Sequence, residues 1–252
     1  MSRNPAALLI PLALLAPAAR AQLVEEYTPP KTNCCLQFMA RSLADQLQDW
    51  NQLGRYHDDN ERLKAQPAAA GRVVFLGDSI TDGWRLADSF PGKPYVNRGI
   101  SGQTTSQMLV RVFPDVIDLK PAVLIILAGT NDVARNTGPV TLTMIEENFQ
   151  AIAELARAHQ IKVILCALTP VSDYTTRKQT PQRPPADILK LNSWLRDYAA
   201  QTHAGFADYF TALVDDKGML REGYSGDGLH PNDKGYALMA PVAEDAIRQT
   251  LR

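Results

Sequence analysis

Val73-Val74-Phe75-Leu76-Gly77-Asp78-Ser79 is the stretch that decides the fold. Four apolar residues run without a polar interruption and then break into a glycine, an acid and a hydroxyl. A strand with one wet face alternates apolar and polar side chains, whereas a strand covered on both faces does not. The run therefore reads as a parallel strand, buried on both sides and ending in a polar turn. Similar runs recur downstream: Tyr95-Val96, Val123-Leu124-Ile125-Ile126-Leu127, Val163-Ile164-Leu165-Cys166 and Gly205-Phe206-Ala207. Between them, Thr104–Phe113, Leu142–His159 and Ile188–Thr202 carry 3.6-residue spacing. A last helix is expected from Asp233 to Leu251, with Pro231-Asn232 as its start signal. This alternation specifies an α/β fold, a doubly wound parallel sheet with helices on both sides.

Toward the N terminus the pattern differs. Leu36, Met39, Leu43, Leu47, Trp50 and Leu53 fall at helical spacing, with Gly54 as a break. Two helices are expected between Leu36 and Leu63, clamped onto the main domain. Residues 22–33 read as a polar lead-in. Residues 1–21 read as an export signal: Arg3 is the basic start, Ala6–Ala16 the apolar stretch, and Ala19-Arg20-Ala21 the cleavage site. An uncleaved anchor is the alternative, although the stretch is shorter than a spanning helix. The expected division is 1–21 signal peptide, 22–70 lead-in and helical extension, and 71–252 the main α/β domain.

Composition narrows the function. The chain is 45% hydrophobic and 21% charged, within the range of globular domains. Loss of residues 1–21 would remove two arginines and no acid, leaving 24 basic against 27 acidic residues, a net charge of −3. Such a surface has no footprint for nucleic acid or an anionic membrane, and a small neutral substrate is expected. No internal apolar run is long enough to span a bilayer. The three cysteines are Cys34, Cys35 and Cys166. An odd count leaves at least one thiol free or paired between chains. Cys166 reads as a buried strand residue. No C-x-x-C or H-E-x-x-H motif supports a zinc site, and no metal or cofactor is expected.

The polar turns carry the chemistry. Gly77-Asp78-Ser79 follows the first strand and Asn97-Arg98-Gly99-Ile100-Ser101-Gly102 the second. Gly129-Thr130-Asn131-Asp132 follows the third, and Asp227-Gly228-Leu229-His230 lies beyond the fifth. Turns at the carboxyl ends of parallel strands converge at one edge of the sheet. Acyl transfer needs an exposed hydroxyl, a base and a carboxylate that orients the base. Ser79, His230 and Asp227 supply those groups, and Gly77 is expected to permit the bend. It also needs donors for a developing oxyanion. The backbone N–H groups of Ser79 and Gly102 and the Asn131 amide are candidates, with Gly102 expected to allow close approach because it lacks a Cβ. Asp78 and Asp132 are expected to hold the turns by accepting backbone hydrogens. His57, His159 and His203 read as helix-surface or helix-end residues. Trp84, Arg98 and Tyr236 flank the motifs, with packing the favoured role and substrate contact the alternative. Val171–Pro185 reads as a Pro/Thr-rich insertion overhanging one side.

In order and spacing these blocks resemble the SGNH (GDSL-type) hydrolases, named for their Ser, Gly, Asn and His. The blocks are Gly77-Asp78-Ser79-Ile80, Gly102, Gly129-Thr130-Asn131-Asp132 and Asp227-x-x-His230, and the resemblance spans Arg72 to Leu251. Ile80 stands where the family name has Leu. The branch it is most similar to contains platelet-activating-factor acetylhydrolase catalytic subunits and lysophospholipase-like or sugar-acetyl esterases. The resemblance implies a three-layer α/β/α, flavodoxin-like sandwich with a five-stranded parallel sheet, and metal-free ester hydrolysis. The expected substrate is a short-chain acyl ester, such as acetyl, of a carbohydrate or small alcohol. A lysophospholipase or thioesterase, or a non-catalytic glycan-binding protein, remains the alternative.

Overall fold

A computed structural model of the chain describes residues 48–252. The export signal, Cys34, Cys35 and the helical stripe from Leu36 to Leu47 lie outside the described residues.

The five expected strands form. They are β1 (Val73–Gly77), β2 (Tyr95–Gly99), β3 (Val123–Leu127), β4 (Lys162–Cys166) and β5 (Gly205–Ala207). All neighbours pair in parallel, in the order β2-β1-β3-β4-β5. Val73 lies opposite both Tyr95 and Val123, so β1 and its two neighbours start level. Every residue of β1 and β3 is buried, as their unbroken apolar runs require.

Among the described residues, ten α-helical segments with given bounds surround the sheet. They are α1 (His57–Lys64), α2 (Ser79–Asp82), α3 (Leu86–Ser89), α4 (Thr105–Val110), α5 (Val112–Asp115), α6 (Thr130–Val133), α7 (Leu142–Ala158), α8 (Pro185–Gln201), α9 (Tyr209–Leu213) and α10 (Asp233–Leu251). On one face, Val74, Leu76, Leu124 and Ile126 cluster with Met108, Val112, Phe149, Ile152, Leu191 and Leu195 from α4, α5, α7 and α8. On the other, Val73, Phe75, Val123 and Ile125 cluster with Trp84, Tyr209, Met239 and Ala243. The result is a three-layer α/β/α sandwich, with adjacent strand residues feeding opposite cores. Local chemistry starts the long helices. Thr141 accepts the Met144 N–H at α7, and Asn232 accepts the N–H groups of Lys234 and Gly235 at α10.

Three boundaries differ from the sequence expectation. The helix expected over Thr104–Phe113 breaks at Arg111 into α4 and α5. Arg111 is fully buried, and its guanidinium bonds Gln103 Oε1 at 2.6 Å, Asp115 Oδ2 at 2.9 Å and the Gly77 carbonyl at 3.0 Å. A buried cation must be paired, and the break accompanies that pairing. Helix α8 begins at Pro185, where a missing N–H costs nothing. Trp50 and Leu53, expected on an apolar helical stripe, are exposed, Trp50 in a turn and Leu53 in a 3₁₀ turn that leads into α1 at His57. The segment is clamped through polar contacts. Asn51 Nδ2 donates to the Gln107 carbonyl, Gln103 Nε2 to the Asn51 carbonyl and the Tyr56 hydroxyl to the Gly99 carbonyl. Arg98 lies over the Tyr56 ring and bonds Asp59 and Asn60.

Phe149, fully buried, anchors α7 to the sheet. Phe149→Ala is expected to cost about 3–5 kcal/mol of unfolding free energy. Urea titration checks this as a lower midpoint at unchanged slope.

Candidate active site

The chain leaves β1 toward β2 on one side and β3 toward β4 on the other. Between these neighbours the loops part, and the crevice at that switch point is where parallel sheets bind ligands. Ser79 follows β1 and Asn131 follows β3, so both stand at the crevice.

Ser79 is the first residue of α2. Asp78 caps that helix, its Oδ1 accepting the Ile80 N–H at 3.0 Å. Gly77 is required here for close packing and not for a bend. A Cβ on it would lie 2.1 Å from Thr81 Oγ1 and 2.7 Å from the Leu127 carbonyl oxygen. The bare glycine lets α2 fold tightly against the strand ends.

His230 arrives on a turn built around Asp227. Asp227 Oδ1 accepts the N–H groups of Leu229 at 3.0 Å and His230 at 2.9 Å, while Oδ2 meets His230 Nδ1 at 2.7 Å. His230 Nε2 lies 2.8 Å from Ser79 Oγ, across 151 residues of sequence. An ionised carboxylate only accepts, so Nδ1 carries the proton and Nε2 is left to accept the hydroxyl hydrogen. Burial pulls the Asp227 carboxyl upward, but the bonds from the His230 backbone and ring and from Leu229 outweigh it and hold it down at about 2. The carboxylate is therefore ionised at neutral pH.

The other expected oxyanion donors, Gly102 and Asn131, lie in the loops after β2 and β3. Among the described residues, neither the Ser79 nor the Gly102 backbone N–H has a protein acceptor. Gly102 has φ of 84°, which an L side chain rarely adopts, and a Cβ there would meet open space. Its glycine is thus demanded by backbone conformation. Asn131 is buried, and its Nδ2 gives one hydrogen to the Gln103 carbonyl at 3.1 Å. Asp132 accepts the Thr105 N–H at 3.0 Å and its hydroxyl at 2.6 Å, tying α6 to the start of α4. The loops carrying Gly102 and Asn131 are thereby fixed to each other. An open cleft of about 530 Å³ lies over Ser79 and His230, with Asp82, Ser101, Asp233 and Tyr236 in its wall.

Residues 75–238 match the GDSL-like lipase/acylhydrolase family. Esterase TesA of Pseudomonas aeruginosa is 30% identical over 184 residues, which cover 67% of this chain and 84% of TesA. A solved structure of a candidate acylhydrolase from Bacteroides fragilis is 39% identical, with a TM-score of 0.75 over 81% of this chain and 99% of that one. A GDSL-like lipase from Bacteroides thetaiotaomicron is 36% identical, with a TM-score of 0.72 over 79% of this chain and 98% of its own.

The chain belongs to the GDSL-like lipase/acylhydrolase family.

It is accordingly a carboxylic ester hydrolase with the family's α/β fold. Among the described residues of this GDSL hydrolase, no group of three or more His, Cys, Asp or Glu side chains is placed to hold a metal ion. No described helix is long and apolar enough to cross a membrane. The other flagged residues lie outside the Ser79–His230–Asp227 chain. His57 is exposed beside Asp58, His159 caps the end of α7 against the Phe113 ring, and His203 follows α8. Trp84 stacks on Tyr236, whose hydroxyl donates to the Ile80 carbonyl, so both brace the floor of the site. Arg98 is buried against the N-terminal segment. Cys166 is buried on β4.

Val171–Pro185 lies beside the site and tucks two side chains inside, Gln179 and Arg183, at 1% and 4% exposure. The Ser172 N–H donates to the Gly228 carbonyl, seating the segment against the His230 turn. Neither side chain carries a sequence signal. Isolated Gln and Arg residues in a Pro-rich stretch look like any solvated pair, and only the fold buries them.

Asp78 is fully buried, and burial raises its carboxyl to about 7, against the opposing Ile80 hydrogen bond and with the nearby Asp132 adding to the rise. A carboxyl raised on folding holds its proton more tightly in the native chain. The stability this brings is complete below about pH 4 and is lost as pH rises through 7. Asp78→Asn should remove that loss. Its unfolding free energy relative to wild type should rise between pH 4 and pH 8, read by urea titration at each pH.

Proposed function

We propose that this GDSL hydrolase is a serine esterase working through an acyl-enzyme on Ser79. One observation carries the reading: an unbroken hydrogen-bonded chain from Ser79 Oγ through His230 to Asp227, at 2.8 and 2.7 Å. In the first step Oγ bonds to the ester carbonyl carbon while His230 Nε2 takes the hydroxyl proton. The carbonyl π pair moves onto oxygen, which the N–H groups of Ser79 and Gly102 and the Asn131 amide stabilise. Asp227 orients the imidazole and balances its positive charge. The intermediate collapses, the bond from carbon to the leaving oxygen breaks, and His230 returns the proton to that oxygen. Water then repeats the sequence, with His230 as base, releasing the acid and restoring Ser79.

The cleft favours a short acyl group on a hydroxylated alcohol. Asp82, Ser101 and Asp233 line it, and its aromatic wall, Tyr236, is largely buried against Trp84. A long alkyl chain would find little apolar surface there, so each added methylene would gain little binding energy. Export fits the same reading, on the strength of Arg3, the apolar stretch Ala6–Ala16 and Ala19-Arg20-Ala21.

Ser79→Ala should abolish turnover of p-nitrophenyl acetate. Asn131→Ala should lower kcat by about 10²–10³-fold. Wild-type kcat in Asn131→Ala would remove that residue from the mechanism. Across acetate, butyrate and decanoate esters, kcat/KM should fall with chain length, and a rise would point instead to a lysophospholipase or thioesterase. A panel of acetylated sugars run beside the Ser79→Ala control then identifies the alcohol.

A further inference from the structure

Two buried polar side chains have no part in the mechanism above. Gln179 and Arg183 lie between β4 and α8, in a segment with no regular structure. Groups of this kind are buried only where they are partnered. Their partners form a line across the site. Gln179 Nε2 donates to the Asp227 carbonyl at 2.9 Å, and Gln179 Oε1 accepts from an Arg183 amino group at 3.1 Å. The other Arg183 amino group donates to Asn131 Oδ1 at 3.5 Å. Asn136 Nδ2 donates to the same oxygen at 3.0 Å.

Counting donors on the Asn131 amide gives a definite result. The group has one oxygen and two N–H bonds. Its oxygen is held by Arg183 and Asn136, and one N–H is held by the Gln103 carbonyl. One N–H is left over. A flipped amide would set its NH₂ against two donors and its oxygen against the Gln103 carbonyl, so every contact would turn repulsive. A guanidinium cannot deprotonate and accept, so it reads this orientation without ambiguity. Its charge beside Oδ1 also polarises the amide and makes the remaining N–H a stronger donor. Arg183 Nε is buried with no acceptor among the described residues.

We propose that Arg183, steadied by Gln179, is a positioning residue that fixes the Asn131 amide in its donating orientation and links it to the loop bearing Asp227 and His230. The proposal rests on the assignment of Asn131 as an oxyanion donor. It predicts an effect on the transition state with little effect on substrate binding. Arg183→Met should lower kcat on p-nitrophenyl acetate by about 10–100-fold, less than outright loss of a donor, with KM within about threefold. Affinity for phenylboronic acid, whose serine adduct places an oxygen in the oxyanion position, should fall in parallel. Arg183→Lys, which keeps the charge and can still donate, should recover part of the loss. In an Asn131→Ala background, Arg183→Met should cost less than about threefold, because the group it orients is gone. Should Arg183→Met fail to fold, Arg183→Lys and Gln179→Met carry the same double-variant test.

A normal loss in Asn131→Ala combined with wild-type kcat in the Arg183 variants would overturn this proposal alone. So would an Arg183 effect that multiplies in full with Asn131→Ala. Wild-type kcat in Asn131→Ala itself would overturn the oxyanion reading and this proposal with it.

Discussion

A parallel strand covered on both faces has no side chain free to meet a ligand. In this chain β1 and β3 are buried along their whole length, and both neighbouring layers are apolar. Polar chemistry is thereby confined to the ends of the strands. Because all five strands point the same way, their carboxyl ends share one edge. Groups as distant in sequence as Ser79 and His230 meet there because the sheet leaves them nowhere else to go. The order of strands then selects the place along that edge, above β1 and β3, where the connections diverge.

Around that place the protein uses backbone as much as side chain. The Asp227 turn presents His230 by capturing two N–H groups of its own loop. Asp78 and Asp132 do the same for the helix starts beside Ser79 and Gly102. Beneath them the Arg111 guanidinium gathers the Gly77 carbonyl, Gln103 and Asp115 into one buried knot. Each such bond removes freedom from a loop that would otherwise sample several conformations. Preorganisation of this kind lets an electrostatic site act without rearranging as charge develops.

What could be read in the sequence, and what could not, follows from the range of the forces involved. The strands of the sheet were legible because an unbroken β-branched run has few other homes, and α10 was marked by Asn232, a local cap. Ser79, His230 and Asp227 could be nominated because each sits in a glycine-bearing turn beyond a strand. The break at Arg111 was not legible, since the pairing it accompanies includes a carbonyl 34 residues away. The inward course of Gln179 and Arg183 was hidden for the same reason. Gly77 was noticed for a plausible but mistaken reason, and the positive φ of Gly102 could not be read from the sequence. A glycine's letter does not say whether backbone angle or crowding demands it. Trp50 and Leu53 fell at helical spacing, yet the polar contacts of Asn51, Tyr56 and Asn60 decide how that segment sits.

The distance between Ser79 and His230 has a consequence for the order of events during synthesis. A ribosome delivers the hydroxyl long before it has made the imidazole, 151 positions later, and the stretch between them includes most of the sheet. An unfinished polypeptide therefore holds an ordinary serine, no more reactive than any other alcohol in water. In the proposed mechanism that alcohol gains a neighbour able to take its proton only when the His230 loop has been made and has folded over the crevice, so the order of synthesis itself would guard against premature chemistry.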